Sequence, residues 1–258
     1  MNTTVIIPIH EINDNNREFF VQCIESIKNQ KDPNFYVQIV TPKISEEIEK
    51  LSEEIPRAIR MVTLINDSGK HDYASQINFA CDVILTPYFS ILQMDDIMFP
   101  NHIENINKYI QAYPEVEVFT PLIYEVDPND NPIGFSNESV WATGNMEKFG
   151  YFDLQKTKEK PLYNFNVNAI TIKLEAFKAV GKFKTSMKKF GDFEFLLRLL
   201  NFGKKVYVIP KMTYKHYNGI PGSIHDLQSD MDEVEKKFWY NMSKKEYFFD
   251  YDREINYV

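Results

Sequence analysis

Residues Tyr88 to Asp96 read Tyr-Phe-Ser-Ile-Leu-Gln-Met-Asp-Asp, an apolar strand that runs directly into two adjacent carboxylates. A buried strand that ends in bare charge needs a reason. Side chains alternate along extended chain, so Gln93 and Asp95 are expected on one face and Met94 and Asp96 on the other. Beyond the carboxyl ends of strands in open α/β sheets lies the crevice where ligands bind, and a carboxylate there is placed to hold a hard cation on a phosphate. The competing reading is a helix cap, with Asp96 at the entrance to a helix beginning near Pro100. Neither a Gly-x-Gly-x-x-Gly nor a Gly-x-x-x-x-Gly-Lys-Ser/Thr loop occurs among the nine glycines, so a bound phosphate must be met by a metal or by side chains.

The elements that position these residues follow from periodicity. Val5–Ile9 is a β-branched run stopped at Pro8-Ile9-His10-Glu11, followed by a helical face of Phe19, Phe20, Cys23, Ile24 and Ile27. Strands are expected at Tyr36–Val40, Arg60–Ile65, Tyr88–Leu92 and Val116–Thr120, with helices between them, which gives a doubly wound parallel sheet with its strand ends on one rim. Asn66-Asp67-Ser68-Gly69 closes the third strand as a turn. After Pro121 the pattern loosens. A hairpin is expected from Ile123–Val126 to Ile133–Phe135, then an irregular stretch to Leu162 containing Trp141, which either stacks on a sugar ring or covers the core. Regular structure resumes with a strand at Val167–Ile172, helices at Leu174–Val180 and around Phe193–Leu200, a strand at Val206–Ile209, and an amphipathic helix from Leu227 to Met242.

Composition bounds the function. Against 37 acidic residues stand 29 Lys and Arg, a net charge of −8 that argues against nucleic-acid binding. The lysines from Lys173 to Lys189 form either a solvated face or an attractor for an anion. Cys23 and Cys81 sit in apolar helical patterns, as small core residues of a reducing compartment would. No secretory or membrane-spanning pattern opens the chain, so a soluble, cytoplasmic protein is expected.

Together Val5-Ile-Ile-Pro-Ile-His-Glu11, Tyr73-Ala-Ser-Gln-Ile-Asn78, Phe89-Ser-Ile-Leu-Gln-Met-Asp-Asp96 and Gly191-Asp-Phe-Glu194 resemble the family 2 glycosyltransferases of the GT-A fold, over roughly residues 4 to 220. The resemblance implies a GT-A-like α/β domain over 1–220, with a nucleotide-sugar half at 1–120, an acceptor half at 121–220 and a helical extension at 221–258. It implies transfer of a sugar from a nucleoside-diphosphate donor, expected to be a UDP-sugar, to an acceptor hydroxyl on a glycan, lipid-linked or protein acceptor, with inversion and with Mn²⁺ or Mg²⁺. On this resemblance Pro8, His10 and Glu11 contact the nucleotide, Asn78 belongs to the donor site, Gln93 reaches the ribose, Asp95 and His216 hold the metal, and Asp192 is the general base. At Thr41-Pro42-Lys43-Ile44-Ser45 the chain departs from the family's base-binding Asp-Asp-x-Ser, and Asp67 either replaces it or only shapes its turn. Gln93 and Gly191 stand where the family carries acids. A helix N-cap is the alternative role for Asp192, and a non-catalytic nucleotide-sugar binder or a sugar nucleotidyltransferase is the alternative for the whole.

Overall fold

The computed structural model describes residues 2–66, 69, 72–138, 150–154, 157, 165–221 and 231–245. Strands β1 (Thr3–Pro8), β2 (Tyr36–Thr41), β3 (Arg60–Ile65) and β4 (Tyr88–Ile91) alternate with helices α1 (Arg17–Lys28), α2 (Glu46–Glu53) and α3 (Tyr73–Val83). They pair in parallel in the order β3-β2-β1-β4. β1, β2 and β4 are buried on both faces, whereas the edge strand β3 is half exposed. Val5, Ile7 and Ile9 pack with Phe20, Cys23 and Ile24 of α1. Ile6 turns the other way, to Ile77 and Cys81 of α3.

Beyond β4 the sheet is mixed rather than doubly wound. The sequence leads through β5 (Ile97–Met98), α4 (His102–Ala112), β6 (Val118–Val126), β7 (Pro132–Ser136), β8 (Thr171–Lys173), α5 (Leu174–Ala179), α6 (Gly191–Asn201), β9 (Val206–Tyr217) and α7 (Glu233–Ser243). The three-residue β8 inserts antiparallel between β4 and β6, so the strand after α4 never reaches β4. The expected hairpin forms as β6 and β7. Two further expectations change for one reason. β6 runs through Pro121, and β9 continues past Ile209 to Tyr217. Their parallel register shifts where Pro121 faces Ile209 and Leu122 faces Met212, which leaves Pro210 and Lys211 as the exposed residues of a bulge. Prolines that would end ordinary strands are absorbed where no ladder bond is required.

The strand expected from Val167 starts only at Thr171, because Ala169 is buried in a left-handed conformation, φ 63°, that no strand contains. The C-terminal helix begins at Glu233, its Asp232 side chain capping Glu235 N–H at 2.7 Å. The start expected at Leu227, Trp141 and most of the irregular stretch to Leu162 lie outside the described residues. Among the described residues no helix is long and apolar enough to cross a membrane.

Candidate active site

The parallel half and the mixed half meet in a cleft of about 480 Å³, a volume that suits a nucleotide-sized ligand. Pro8, His10, Gln93, Asp95, Asp192 and His216, which are spread over more than 200 positions of sequence, all line it.

Asp95 and Asp96 are adjacent and opposite in role. β4 ends at Ile91, and residues 93–96 form a turn closed by Asp96 N–H to the Gln93 carbonyl at 3.2 Å. Strand alternation therefore does not set their directions; the turn does. Its backbone is gripped from below, with the Gln93 N–H donating to the Tyr214 hydroxyl at 3.1 Å and the Cys23 thiol donating to the Gln93 carbonyl at 3.4 Å. Asp96 is fully buried and does not cap α4, whose N-cap is Asn101. It accepts from the Tyr214 hydroxyl at 2.8 Å, from His216 Nδ1 at 2.9 Å and from the Tyr217 backbone N–H at 3.0 Å.

Asp95 faces the cleft. Burial, then the neighbouring Asp96 charge, pushes its carboxyl up to about 7, opposed by His216 and its own backbone N–H. Burial, the largest single influence, pulls the His216 imidazole down, but the Asp96 charge and hydrogen bond together with the Asp95 and Glu125 charges carry it up to about 9. Two carboxylates with one imidazole between them leave a site short of positive charge.

A divalent cation fits this donor set. The Asp95 carboxylate is turned to the cleft, and His216 Nδ1 is held by Asp96, which is the outer carboxylate that orients a ligating imidazole through its other nitrogen. Among the described residues no three His, Cys, Asp or Glu side chains gather to enclose an ion. A metal here would complete its shell with water and donor phosphate oxygens, as Mg²⁺ does at many phosphate sites.

Asp192, in the first turn of α6, lines the same cleft. It is not the N-cap: Phe190 holds that position in a left-handed conformation, φ 59°, without a side-chain cap. The Asp192 carboxylate accepts weakly from Val167 N–H at 3.4 Å. Burial pushes its pKa up to about 6, against the pull of that N–H and of His216. Left-handed backbone at an aromatic residue is strained, and here it sets the angle at which α6 enters the cleft. The helix is fixed at its other side by Glu194 and Arg198, which are both buried and joined by two bonds of 2.8 and 2.9 Å. Arg198 also donates to the carbonyls of Val180 and Lys182, which follow α5.

Several functional positions escaped the sequence reading. Asn168 joins the two halves: its side chain meets the Gln93 amide and the Asp96 carboxylate. Asn166 positions it, accepting from Asn168 N–H at 2.8 Å, and Asn137 in turn accepts from Asn166 N–H at 3.0 Å. The signal was Asn164-Phe-Asn166-Val-Asn168, amides at every second residue before an apolar strand. Tyr73 and Gln76 of α3 were also missed. Gln76 donates to the Ile9 carbonyl at 2.9 Å, but its Oε1, the Tyr73 hydroxyl and His10 Nε2 are buried without a hydrogen-bond partner. Each such atom costs about 1–3 kcal/mol unless something arrives to pair with it.

Asn78 and Glu11 are not among the residues that line the cleft. The Asn78 amide is consumed by the Phe183 backbone, donating to its carbonyl at 2.8 Å and accepting from its N–H at 3.0 Å, so it braces the cleft wall instead of meeting a ligand. Glu11 is exposed and outside the lining. The Thr41 hydroxyl is spent on the Lys43 carbonyl at 2.7 Å. Asp67 lies outside the described residues.

Residues 4–180 match the family model for glycosyl transferase family 2. The chain is 22% identical over 201 residues to an uncharacterised glycosyltransferase of Methanocaldococcus jannaschii, covering 77% of this chain and 66% of that protein. It is 21% identical to the glycosyltransferase GlyG of Streptococcus pneumoniae over 69% of this chain and 56% of that one. It thus spans somewhat under two thirds of the length of these relatives. Among solved structures, TarS of S. aureus in complex with UDP-GlcNAc superposes with a TM-score of 0.66 at 13% identity, over 96% of this chain and 73% of that one. The mannosyltransferase PcManGT of Pyrobaculum calidifontis, in complex with GDP-Man and Mn²⁺, superposes with a TM-score of 0.59 at 14% identity, over 86% and 58%. These likenesses bear out the GT-A architecture, with its sheet mixed as described. The chain belongs to glycosyl transferase family 2.

Proposed function

We propose that the protein transfers a sugar from a nucleoside-diphosphate donor, a UDP-sugar in the first instance, to an acceptor hydroxyl with inversion. The observation that carries this reading is that Asp192, Asp95 and His216 line one cleft. Asp95 and His216 receive the diphosphate end of the donor, and Pro8 and His10 at the end of β1 meet the nucleotide. Burial holds the His10 imidazole below its ordinary pKa, so it meets the nucleotide as a neutral ring. Gln93, on the same turn as Asp95, is the ribose contact.

In the chemical step the acceptor oxygen forms a bond to the anomeric carbon as the bond from that carbon to the diphosphate oxygen breaks. The electron pair leaves with the diphosphate, and the acceptor proton passes to Asp192. A carboxylate whose pKa stands near 6 is a better base at neutral pH than an ordinary one and is still mostly ionised. Asp95, with His216, would hold a Mn²⁺ or Mg²⁺ ion, which would supply Lewis-acid neutralisation of the charge on the departing diphosphate. His216, oriented through Nδ1 by Asp96, would meet such an ion through Nε2 as a neutral imidazole. Support for the donor class comes from TarS, solved with UDP-GlcNAc, and from PcManGT, solved with GDP-Man and Mn²⁺. The acceptor is a hydroxyl of a glycan, lipid-linked or protein substrate.

Gln93 and Gly191, which stand where the resemblance puts acids, favour a second reading, a nucleotide-sugar binder without turnover. One experiment separates the two. The protein is incubated with UDP- and GDP-sugars and Mn²⁺, and release of free nucleoside diphosphate is measured for wild type, Asp95→Ala and Asp192→Ala. Turnover that collapses in both variants supports the transferase; binding of a donor with no turnover in wild type supports the binder.

A further inference from the structure

We infer that the cleft-facing side of α3, through the Tyr73 hydroxyl and Gln76 Oε1, is the subsite that grips hydroxyl groups of the transferred sugar and selects among donors. The inference rests on the transferase reading above and goes beyond it by giving roles to Tyr73 and Gln76, two residues of the Tyr73–Asn78 motif to which the resemblance assigned none. Tyr73 and Gln76 are three apart on one helix, so they share a face, and both line the cleft. The Asp72 side chain fixes where that helix starts, accepting from Ser75 N–H at 2.9 Å and from the Ser75 hydroxyl at 2.6 Å.

Both polar atoms are buried and lack a partner. The Gln76 amide cannot be turned to hide the defect, because its nitrogen is committed to the Ile9 carbonyl, which only accepts. Gln76 is 1% exposed, so what remains is an acceptor oxygen held at the base of the cleft. The phenol supplies the complementary donor. Burial first, then the Asp192 and Asp96 charges, raises the Tyr73 phenol well above its ordinary pKa, so it stays a neutral O–H. Tyr73 lines the cleft together with Asp192, the proposed base, and with Asp95 and His216, the proposed diphosphate side, so a group that reaches it there is near both. In a direct displacement only the transferred sugar occupies that place. Paired donor and acceptor atoms suit sugar hydroxyls, each of which gives one hydrogen bond and takes another. Phe183, held through its backbone by Asn78, packs beside the Tyr73 ring at 5.9 Å between centroids and limits its movement.

The test compares Tyr73→Phe with wild type by calorimetric titration, with Mn²⁺ present, of UDP and GDP and of a panel of UDP- and GDP-sugars. Removing an oxygen that has no protein partner leaves the melting temperature unchanged or raised, so folding does not confound the result. The expected result is UDP or GDP affinity within twofold of wild type and affinity for the preferred nucleotide sugar reduced about tenfold, with discrimination among sugars flattened. Equal weakening of nucleotide and nucleotide sugar would overturn the inference by placing the hydroxyl against the nucleotide. Unchanged sugar affinity and selectivity would overturn it too, while leaving the transferase reading intact. Failure of wild type to bind any nucleotide sugar overturns both.

Discussion

The two walls of the cleft differ in how far their polar groups are satisfied. On the wall built from β9, α6 and the approach to β8, Asn168, Asp96 and His216 bond to one another and to Tyr214, and Asn137 and Asn166 fix the approach. On the wall built from β1 and α3, His10 Nε2, the Tyr73 hydroxyl and Gln76 Oε1 are buried without partners. One wall is complete before any ligand arrives; the other stores an electrostatic deficit that a ligand can relieve. Rigid, satisfied networks suit groups that must hold an ion or aim a base, and unsatisfied groups suit recognition. Substitutions should therefore cost stability on the first wall and affinity on the second.

The neighbours Asp95 and Asp96 break this comparison most directly. Asp96→Ala leaves the Tyr214 hydroxyl, the Tyr217 N–H and a charged His216 without their acceptor, and should cost about 3–5 kcal/mol in urea unfolding. Asp95→Ala should cost far less, or stabilise, because it removes a carboxylate that burial and Asp96 already destabilise; its loss should appear in turnover. Equal unfolding penalties for the two would refute the division between a satisfied and an unsatisfied side.

Asp192→Asn comes next, with a nearly isosteric side chain that cannot take the proton. Turnover should fall by roughly 10²–10⁴ with donor affinity retained, measured as nucleoside diphosphate release and by titration with the donor. The pH dependence sharpens the assignment. The folded carboxyl sits at about 6 against an ordinary 3.8, so the native state keeps a proton that the unfolded chain has already lost between those values. The contribution of Asp192 to stability thus falls as pH rises from about 4 to 6 and is flat above. Activity should rise through the same window, since the base must be ionised. In Asp192→Asn the slope should shrink to the part that Asp95, raised to about 7, still supplies; a slope unchanged from wild type would assign the whole titration to another group.

The same contrast explains what the sequence made legible. β1 to β4 and their helices appear in it almost residue for residue, because buried parallel strands are short β-branched runs and their crossover helices are amphipathic. Asp95, Asp192, His216, Pro8 and His10 were visible as charge or breakers at element ends. The second half was harder for physical reasons. Its strands pass through Pro121 and Pro210 by a bulge, and β8 is three residues long beside the left-handed Ala169, so neither proline punctuation nor periodicity marks them. Asn168, Tyr73 and Gln76 were missed because amides and a tyrosine within helical or apolar patterns look like ordinary surface or core residues until burial reveals what they lack. Asn78 shows a different limit: its side chain bonds to Phe183, 105 residues away in the chain, a contact that local pattern does not encode.

The smallest expected effect concerns Gly191, where the resemblance puts an acid. Its φ is not in the left-handed region, and a β-carbon there would lie 3.8 Å from Met187 Cβ, an ordinary contact. Neither backbone conformation nor space against the protein requires glycine at this first position of α6. Gly191→Ala should therefore stabilise the fold by about 0.4–1 kcal/mol, by restricting the unfolded chain. Calorimetric melting tests that gain, and turnover tests its consequence. With Asp192 next in the chain and the satisfied wall undisturbed, turnover should stay near wild type. A gain in stability accompanied by loss of turnover would mean that the missing side chain leaves room for the acceptor beside the base, and would move part of substrate recognition onto the wall that the hydrogen bonds mark as complete.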